Sequence, residues 1–182
     1  YTFIHPFNDP DVIAGQGTIG LEILEQLPDV DVVVVPIGGG GLIAGVAYTI
    51  KQINPNCKVY GVQAAGAPSM KNSVADGKIE TLKNVQTIAD GIAVKTPGTN
   101  TFELIKKYVD GIYTVSDDEI ALAILTLMEQ QKLVSEGAGA VPVAAVMNGK
   151  IPDIEGKKVC CLVSGGNIDV TILSRVIERG LK

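Results

Sequence analysis

Two glycine-rich segments carry the residues best suited to chemistry. Pro36-Ile37-Gly38-Gly39-Gly40-Gly41-Leu42 follows the valines Val32 to Val35 and opens into Ile43-Ala44-Gly45-Val46-Ala47. A strand, a bare turn and a helix start in that order make an anion cradle. Residues without Cβ let successive N–H groups converge, and the first helical turn adds unpaired donors and the positive end of its dipole. The second segment, Val163-Ser164-Gly165-Gly166-Asn167, again leads a strand through glycines toward a helix. In parallel α/β sheets ligands lie outside the carboxyl ends of the strands. Two such turns on one edge would hold two ends of one small molecule, with the tetraglycine on a phosphate and the Ser164 hydroxyl a ring's width away.

Other readings of these residues stay open. The tetraglycine run could be a flexible hinge, and Gly39-x-Gly41-x-x-Ala44 fits a relaxed dinucleotide fingerprint. Against the latter, Gln63 ends the next strand pattern, where an acidic residue should read a ribose. Asn148-Gly149-Lys150-Ile151 lacks the upstream glycine and the Ser or Thr of a nucleotide-binding P-loop. Ser164 could instead belong to an ordinary turn.

The elements that must position these turns follow an alternating order. Short β-branched runs at Thr2-Ile4, Val32-Ile37, Val59-Gln63, Gly111-Val115 and Lys158-Val163 read as strands. Helix patterns lie between them, which is the signature of an α/β fold with a parallel, doubly wound sheet flanked by helices. Thr18 precedes Ile19-Leu27, whose Ile19, Ile23, Leu24 and Leu27 form one stripe. Asn100-Thr101-Phe102-Glu103 and Ser116-Asp117-Asp118-Glu119 each place a cap and an acid three residues apart. A last helix is expected from Asn167 through Ile172 and Val176 to Glu178, with Gly180 ending it.

Composition excludes several partner classes. With 182 residues, 46% of them hydrophobic, the chain can bury one sizeable core, so residues 1–182 are expected to form a single domain. A net charge of −5, with no basic cluster beyond Lys106-Lys107 and Lys157-Lys158, argues against nucleic acid or an anionic membrane. Nineteen uncharged residues from Val32 to Ile50 have the length of a membrane span, but Pro36 and the glycines would break such a helix. Cys57, Cys160 and Cys161 are odd in number, and the adjacent pair sits in an apolar run, so they read as small core residues in a reducing, cytoplasmic compartment. His5, the only histidine, stands beside Pro6 and reads as a loop or strand-end residue, which leaves no zinc site.

Five segments in order carry a family resemblance across essentially the whole chain. They are Asp11-Val12-Ile13-Ala14-Gly15-Gln16-Gly17-Thr18-Ile19-Gly20, Gly38 to Leu42, Ala89-Asp90-Gly91, Ser135-Glu136-Gly137-Ala138-Gly139-Ala140, and Ser164 to Asn167. Together they resemble the threonine dehydratase (threonine ammonia-lyase) family of fold type II pyridoxal phosphate enzymes, whose pattern serine dehydratases and serine racemases largely share. The resemblance implies the large-domain part of the tryptophan synthase β-like fold and pyridoxal 5'-phosphate as cofactor. It also implies deamination of L-threonine to 2-oxobutanoate and ammonia, with L-serine as a secondary substrate.

Carried over residue by residue, Gly38, Gly39, Gly40, Gly41 and the Leu42 amide would bind the cofactor phosphate. Ser164 would meet the pyridine nitrogen, Gly91 would pass its backbone close to the ring, and Glu136 would lie near the cofactor edge. From its own position Glu136 also reads as a helix-start acid. Related racemases bind a divalent ion after the strand that here ends at Gln63, but Gln63, Ala67 and Ser69 stand where carboxylates would help, so no metal is expected.

The family's Schiff-base lysine segment and its substrate-carboxylate loop are not found in the chain. Lys51, Lys71, Lys95 and Lys132 sit in polar or helix-surface contexts, and none is assigned that role. The expectation is a fragment that lacks the amino-terminal lysine segment and the small domain and is inactive alone. A homo-oligomer is expected of the parent. Serine racemase or serine dehydratase activity, a non-catalytic phosphate- or nucleotide-binding module, and an assembly role remain as alternatives.

Overall fold

The computed structural model describes residues 1–180. Strands β1 (Val32–Pro36), β2 (Lys58–Ala64), β3 (Gly111–Val115) and β4 (Val159–Cys161) form one sheet in the order β3-β2-β1-β4. Every pairing is parallel, with Val33 opposite Val59 and Cys160, and Tyr60 opposite Gly111. All carboxyl ends therefore share one edge. The chain moves outward from β1 to β3 and then returns to place β4 on the other side of β1. A crevice opens at such a reversal, between the carboxyl ends of β1 and β4.

Helices α1 (Pro10–Gln26), α2 (Gly41–Ile53), α3 (Ser69–Asp76), α4 (Thr99–Tyr108), α5 (Asp117–Thr126), α6 (Gly137–Met147) and α7 (Val170–Gly180) cover both faces. Strand alternation divides the apolar residues between two cores. Val33, Val35 and Val59 face Ile13, Ile43, Ile50, Phe102 and Ile105. Val32, Val34, Tyr60 and Val62 face Ile120, Ile124, Val141 and Ala144 on the opposite side. Cys160 and Cys161 part in the same way, one to each core. Pro36, which has no donor, falls at the last position of β1, and the amide of Ile37 resumes the ladder by donating to the Val62 carbonyl at 2.8 Å.

Several expectations on element boundaries need correction. Residues 2–4 form no strand, and Tyr1, Phe3 and Ile4 stand exposed. β1 and β4 stop short of Ile37 and of Leu162-Val163, whereas β2 extends to Ala64. The first helix starts at Pro10, capped by Asp9, whose Oδ1 accepts from the Asp11 and Val12 amides at 2.8 and 3.2 Å. Thr18 lies inside that helix and donates to the Gly15 carbonyl. The buried Gly17 and Gly20 are where α1 meets α2. The cap of α4 is Gly98, not Asn100, which lies in the first turn and whose amide donates to the Asn8 side chain at 2.8 Å. The expected capping box at Ser116 and Glu119 is present in full. α7 runs from Val170, not Asn167, through Ile172 and Val176 to Gly180, and whether Gly180 ends it lies outside the described residues.

Candidate functional site

The tetraglycine turn leaves the carboxyl end of β1 and becomes the first turn of α2. Gly40 sits at φ +99°, a left-handed conformation that glycine adopts at no steric cost, and caps the helix without a side chain. The carbonyl of Gly39 is tied to the start of α4. Buried Thr101 donates to it through Oγ1 at 2.7 Å, and the Gly98 amide donates at 3.3 Å. No backbone carbonyl among the described residues accepts from the amides of Gly38, Gly39, Gly40, Gly41 or Leu42. Consecutive unsatisfied donors beside a helix N-terminus suit a phosphate dianion.

The same turn has no room for side chains. A Cβ on Gly41 would lie 2.9 Å from Phe7 Cα, and one on Gly39 would run into the Phe7 ring. The segment that brings Phe7 there is folded on His5, whose Nδ1 accepts from the Asn8 amide at 2.9 Å and the Phe7 amide at 3.3 Å. His5 is thus a loop residue, as expected. Asn8 then pins the segment to α4 through Thr99 Oγ1 and Asn100.

Around the crevice the remaining candidates converge. Gly91 lies on a short 3-10 turn, Asp90–Ile92, and its carbonyl would be 3.5 Å from a Cβ placed on Gly38. A Cβ on Gly91 would in turn be 3.5 Å from Glu136 Oε1. A Cβ on Gly165 would be 2.7 Å from the same oxygen. Glu136 and Gly165 also share a backbone hydrogen bond of 3.1 Å, from the Glu136 amide to the Gly165 carbonyl. Ser164 is exposed at the end of the strand beside β1, so the two glycine turns lie on one edge and on neighbouring strands. Gly38, Gly91, Glu136 and Gly165 thus lie near one another in that order, with Ser164 next to the last of them.

Glu136 occupies the cap position of α6, yet its carboxylate makes no capping bond there. It accepts from the Asn167 amide at 3.1 Å instead, so Glu136 is a helix-start residue, as its position suggested, whose carboxylate reaches the Ser164 turn. Gln63, Ala67 and Ser69 are buried. Gln63 donates through Nε2 to the Ile37 carbonyl at 3.3 Å and accepts from the Lys71 amide at 2.8 Å, tying the end of β1 to α3. No group of three or more His, Cys, Asp or Glu side chains is placed to hold a metal ion among the described residues.

Lys51 lies at the opposite end of the sheet, with Nζ 2.7 Å from Asp110 and donating to the Cys57 carbonyl. Lys71 and Lys95 are exposed, and Lys132 donates to the Glu129 carbonyl. The thiols are unpaired, and burial pushes Cys57 up to about 11 and Cys161 up to about 12. No helix among the described residues is long and apolar enough to cross a membrane.

Sequence reasoning overlooked Thr101, Phe7 and Asn8. Asn8-Asp9-Pro10, a pair of capping residues before a proline, was the available signal, since it marks a helix start at Pro10 and makes the preceding residues a turn.

A doubly wound parallel sheet with two glycine turns facing each other across its reversal point defines an α/β protein that takes its ligand at the carboxyl edge. The model of the pyridoxal-phosphate dependent enzyme family matches residues 1–165, and the chain belongs to that family. It is 62% identical over 179 residues to an L-threonine ammonia-lyase of Thermotoga maritima, covering 98% of this chain and 44% of that protein. A Geobacter sulfurreducens L-threonine ammonia-lyase is 56% identical over the same shares. The solved processed form of threonine deaminase isoform 2 from Solanum lycopersicum superposes with a TM-score of 0.90 at 42% identity, covering 98% of this chain and 52% of that one. The chain therefore spans about half the length of the relatives it matches, and its fold is that of the fold type II pyridoxal phosphate enzymes.

Proposed function

We propose that this chain forms most of the large, cofactor-binding domain of an L-threonine ammonia-lyase, which converts L-threonine to 2-oxobutanoate and ammonia. The observation that carries the reading is the pairing of unsatisfied amides at Gly38 to Leu42 with Ser164 on the neighbouring strand end. The relatives named L-threonine ammonia-lyase, at 56 and 62% identity, favour threonine over serine as the preferred substrate.

In this reading the five amides bind the phosphate of pyridoxal 5'-phosphate, Gly91 lets the ring approach the backbone, and Ser164 Oγ meets the pyridine nitrogen. Bound there, the cofactor supplies an electron sink for the pair left when the substrate Cα loses its proton. Ser164 is a neutral hydroxyl, so it orients the ring nitrogen without favouring its protonation as a carboxylate would. That weaker sink favours loss of the β-hydroxyl. The family resemblance assigns the amine that anchors the cofactor to a lysine segment not found in this chain; Lys71 and Lys95, for example, are exposed, and Lys51 and Lys132 are hydrogen-bonded to other groups.

The parent is a cytoplasmic homo-oligomer in the same account. Unpaired thiols accord with a reducing compartment, and the apolar groove lined by Ile13, Ala14, Tyr48 and Leu104 accords with a covered face.

The test is a comparison of L-threonine and L-serine in the purified full-length protein, with 2-oxobutanoate and pyruvate measured separately. Higher kcat/KM for threonine, lost when pyridoxal phosphate is removed and regained when it is returned, is the expected result. Cofactor-independent turnover, or none with either substrate, would overturn the reading. The 182-residue chain alone should turn over neither amino acid.

A further inference from the structure

The Ser164 turn is held by the residues that lead into α6, and one side chain among them reaches its far end. The Leu162 amide donates to the Val34 carbonyl at 3.0 Å, and beyond it residues 163–169 belong to no strand or helix, so the sheet ladder stops two residues short of Ser164. Glu136 fixes the turn from outside at two points. Its carboxylate Oε2 accepts from the Asn167 amide at 3.1 Å, and its own amide donates to the Gly165 carbonyl at 3.1 Å. Buried Ser135 adds a third contact, with Oγ 3.2 Å from the same carbonyl. These bonds bracket Gly165-Gly166-Asn167, immediately after Ser164. They also explain Gly165, where any Cβ would press into the Glu136 carboxylate at 2.7 Å.

We infer that Glu136 is a positioning residue that sets Ser164 against the cofactor ring by clamping the strand-end turn through the Asn167 amide. This rests on the proposed role of Ser164. It goes beyond that role in assigning Glu136 neither to its own helix cap nor to the phosphate. Glu136 acts on the ring end of the ligand only, because the Gly38–Leu42 cradle is organised separately by Thr101 and Gly98.

The experiment uses the full-length protein with E136A, E136Q, S164A and the double variant E136A/S164A. Two probes are titrated, inorganic phosphate for the cradle and pyridoxal phosphate for the whole site, with the absorbance and fluorescence of the bound cofactor recorded for each. E136A should leave phosphate affinity within about twofold, weaken pyridoxal phosphate by about tenfold and shift its spectrum as S164A does. E136Q keeps an acceptor and should stay within about threefold of the native protein. The double variant should be no weaker than S164A, because both changes remove one contact.

Multiplicative losses in the double variant, or an E136A spectrum unlike that of S164A, would refute the clamp. If S164A itself changes neither affinity nor spectrum, the role of Ser164 fails and the clamp with it. If S164A acts and E136A does not, the clamp alone fails. Should E136A not fold, E136Q decides through amide exchange at Asn167. Protection equal to the native protein is expected, and loss of protection with an unchanged cofactor spectrum would contradict the proposal.

Discussion

Two glycine-to-alanine changes, thirty residues apart, should move stability in opposite directions. Gly45 lies in α2 where that helix meets α1, and a Cβ there would sit 2.6 Å from the Gly17 amide nitrogen and against the Ile13 carbonyl. Both are backbone atoms, so the clash is relieved only by moving the helices apart. Overpacking of this kind costs about 1 to 3 kcal/mol, against which alanine's better helix propensity returns up to about 1 kcal/mol. Gly15 also lies inside α1, but a Cβ there meets nothing within 4 Å. With no clash, Gly15→Ala should gain up to about 1 kcal/mol. At about 2 to 4 °C per kcal/mol for a chain of this size, Gly45→Ala should lower Tm by several degrees and Gly15→Ala should raise it by a few. Thermal unfolding followed by circular dichroism, without ligand, reads both. A Gly45→Ala chain as stable as the Gly15→Ala chain would refute the close approach of α1 and α2. The consequence reaches the site, since α2 carries Gly41 and Leu42 at its first turn.

Acid should weaken the opposite end of the sheet. Burial works to raise Asp110, but hydrogen bonds from Lys51, the Val59 amide and Lys58 outweigh it and hold the carboxyl below its ordinary value. A carboxyl lowered on folding stabilises the fold above the ordinary carboxylate range, and that contribution is lost as pH falls through the lowered value. Urea unfolding should therefore show Asp110→Asn destabilised at pH 7, with the gap to the native chain closing toward pH 2, and a gap independent of pH would contradict this. The thiols should be nearly inert in the folded state. With Cys57 raised to about 11 and Cys161 to about 12, native protein at pH 8 should label slowly with a disulfide reagent and quickly in denaturant, whereas immediate reaction of all three would argue against their burial.

Much of this architecture could be read from the residues, for reasons that differ by element. Val32 to Val35 announced a strand buried on both faces because only a central parallel strand is apolar without alternation. Gly111–Val115 and the Ser116 capping box were legible because their signals are local. α1 was misread at its start because Thr18 stands before the apolar stripe like a cap, whereas the cap is Asp9, ahead of a glycine-containing stretch whose packing partner α2 is distant in sequence. The cap on α4 was misplaced because its first-turn partner, Asn8, lies ninety-two residues away in sequence from Asn100. Contacts of that kind carry no local pattern. The site followed the same division, since Gly38 to Leu42 and Ser164 were visible as turns. The Thr101 hydroxyl that orients Gly39 and the Phe7 ring that covers it were not.

The most direct test of the account is a backbone amide spectrum of the isotope-labelled protein, titrated first with inorganic phosphate and then with pyridoxal phosphate. Phosphate should shift the amides of Gly38 to Leu42 and little else. Pyridoxal phosphate should shift the same set and add Gly91, Ser164 and Gly165. Phosphate shifts elsewhere in the protein, or a cofactor footprint that leaves Ser164 and Gly165 unmoved, would contradict a single ligand spanning the crevice between β1 and β4.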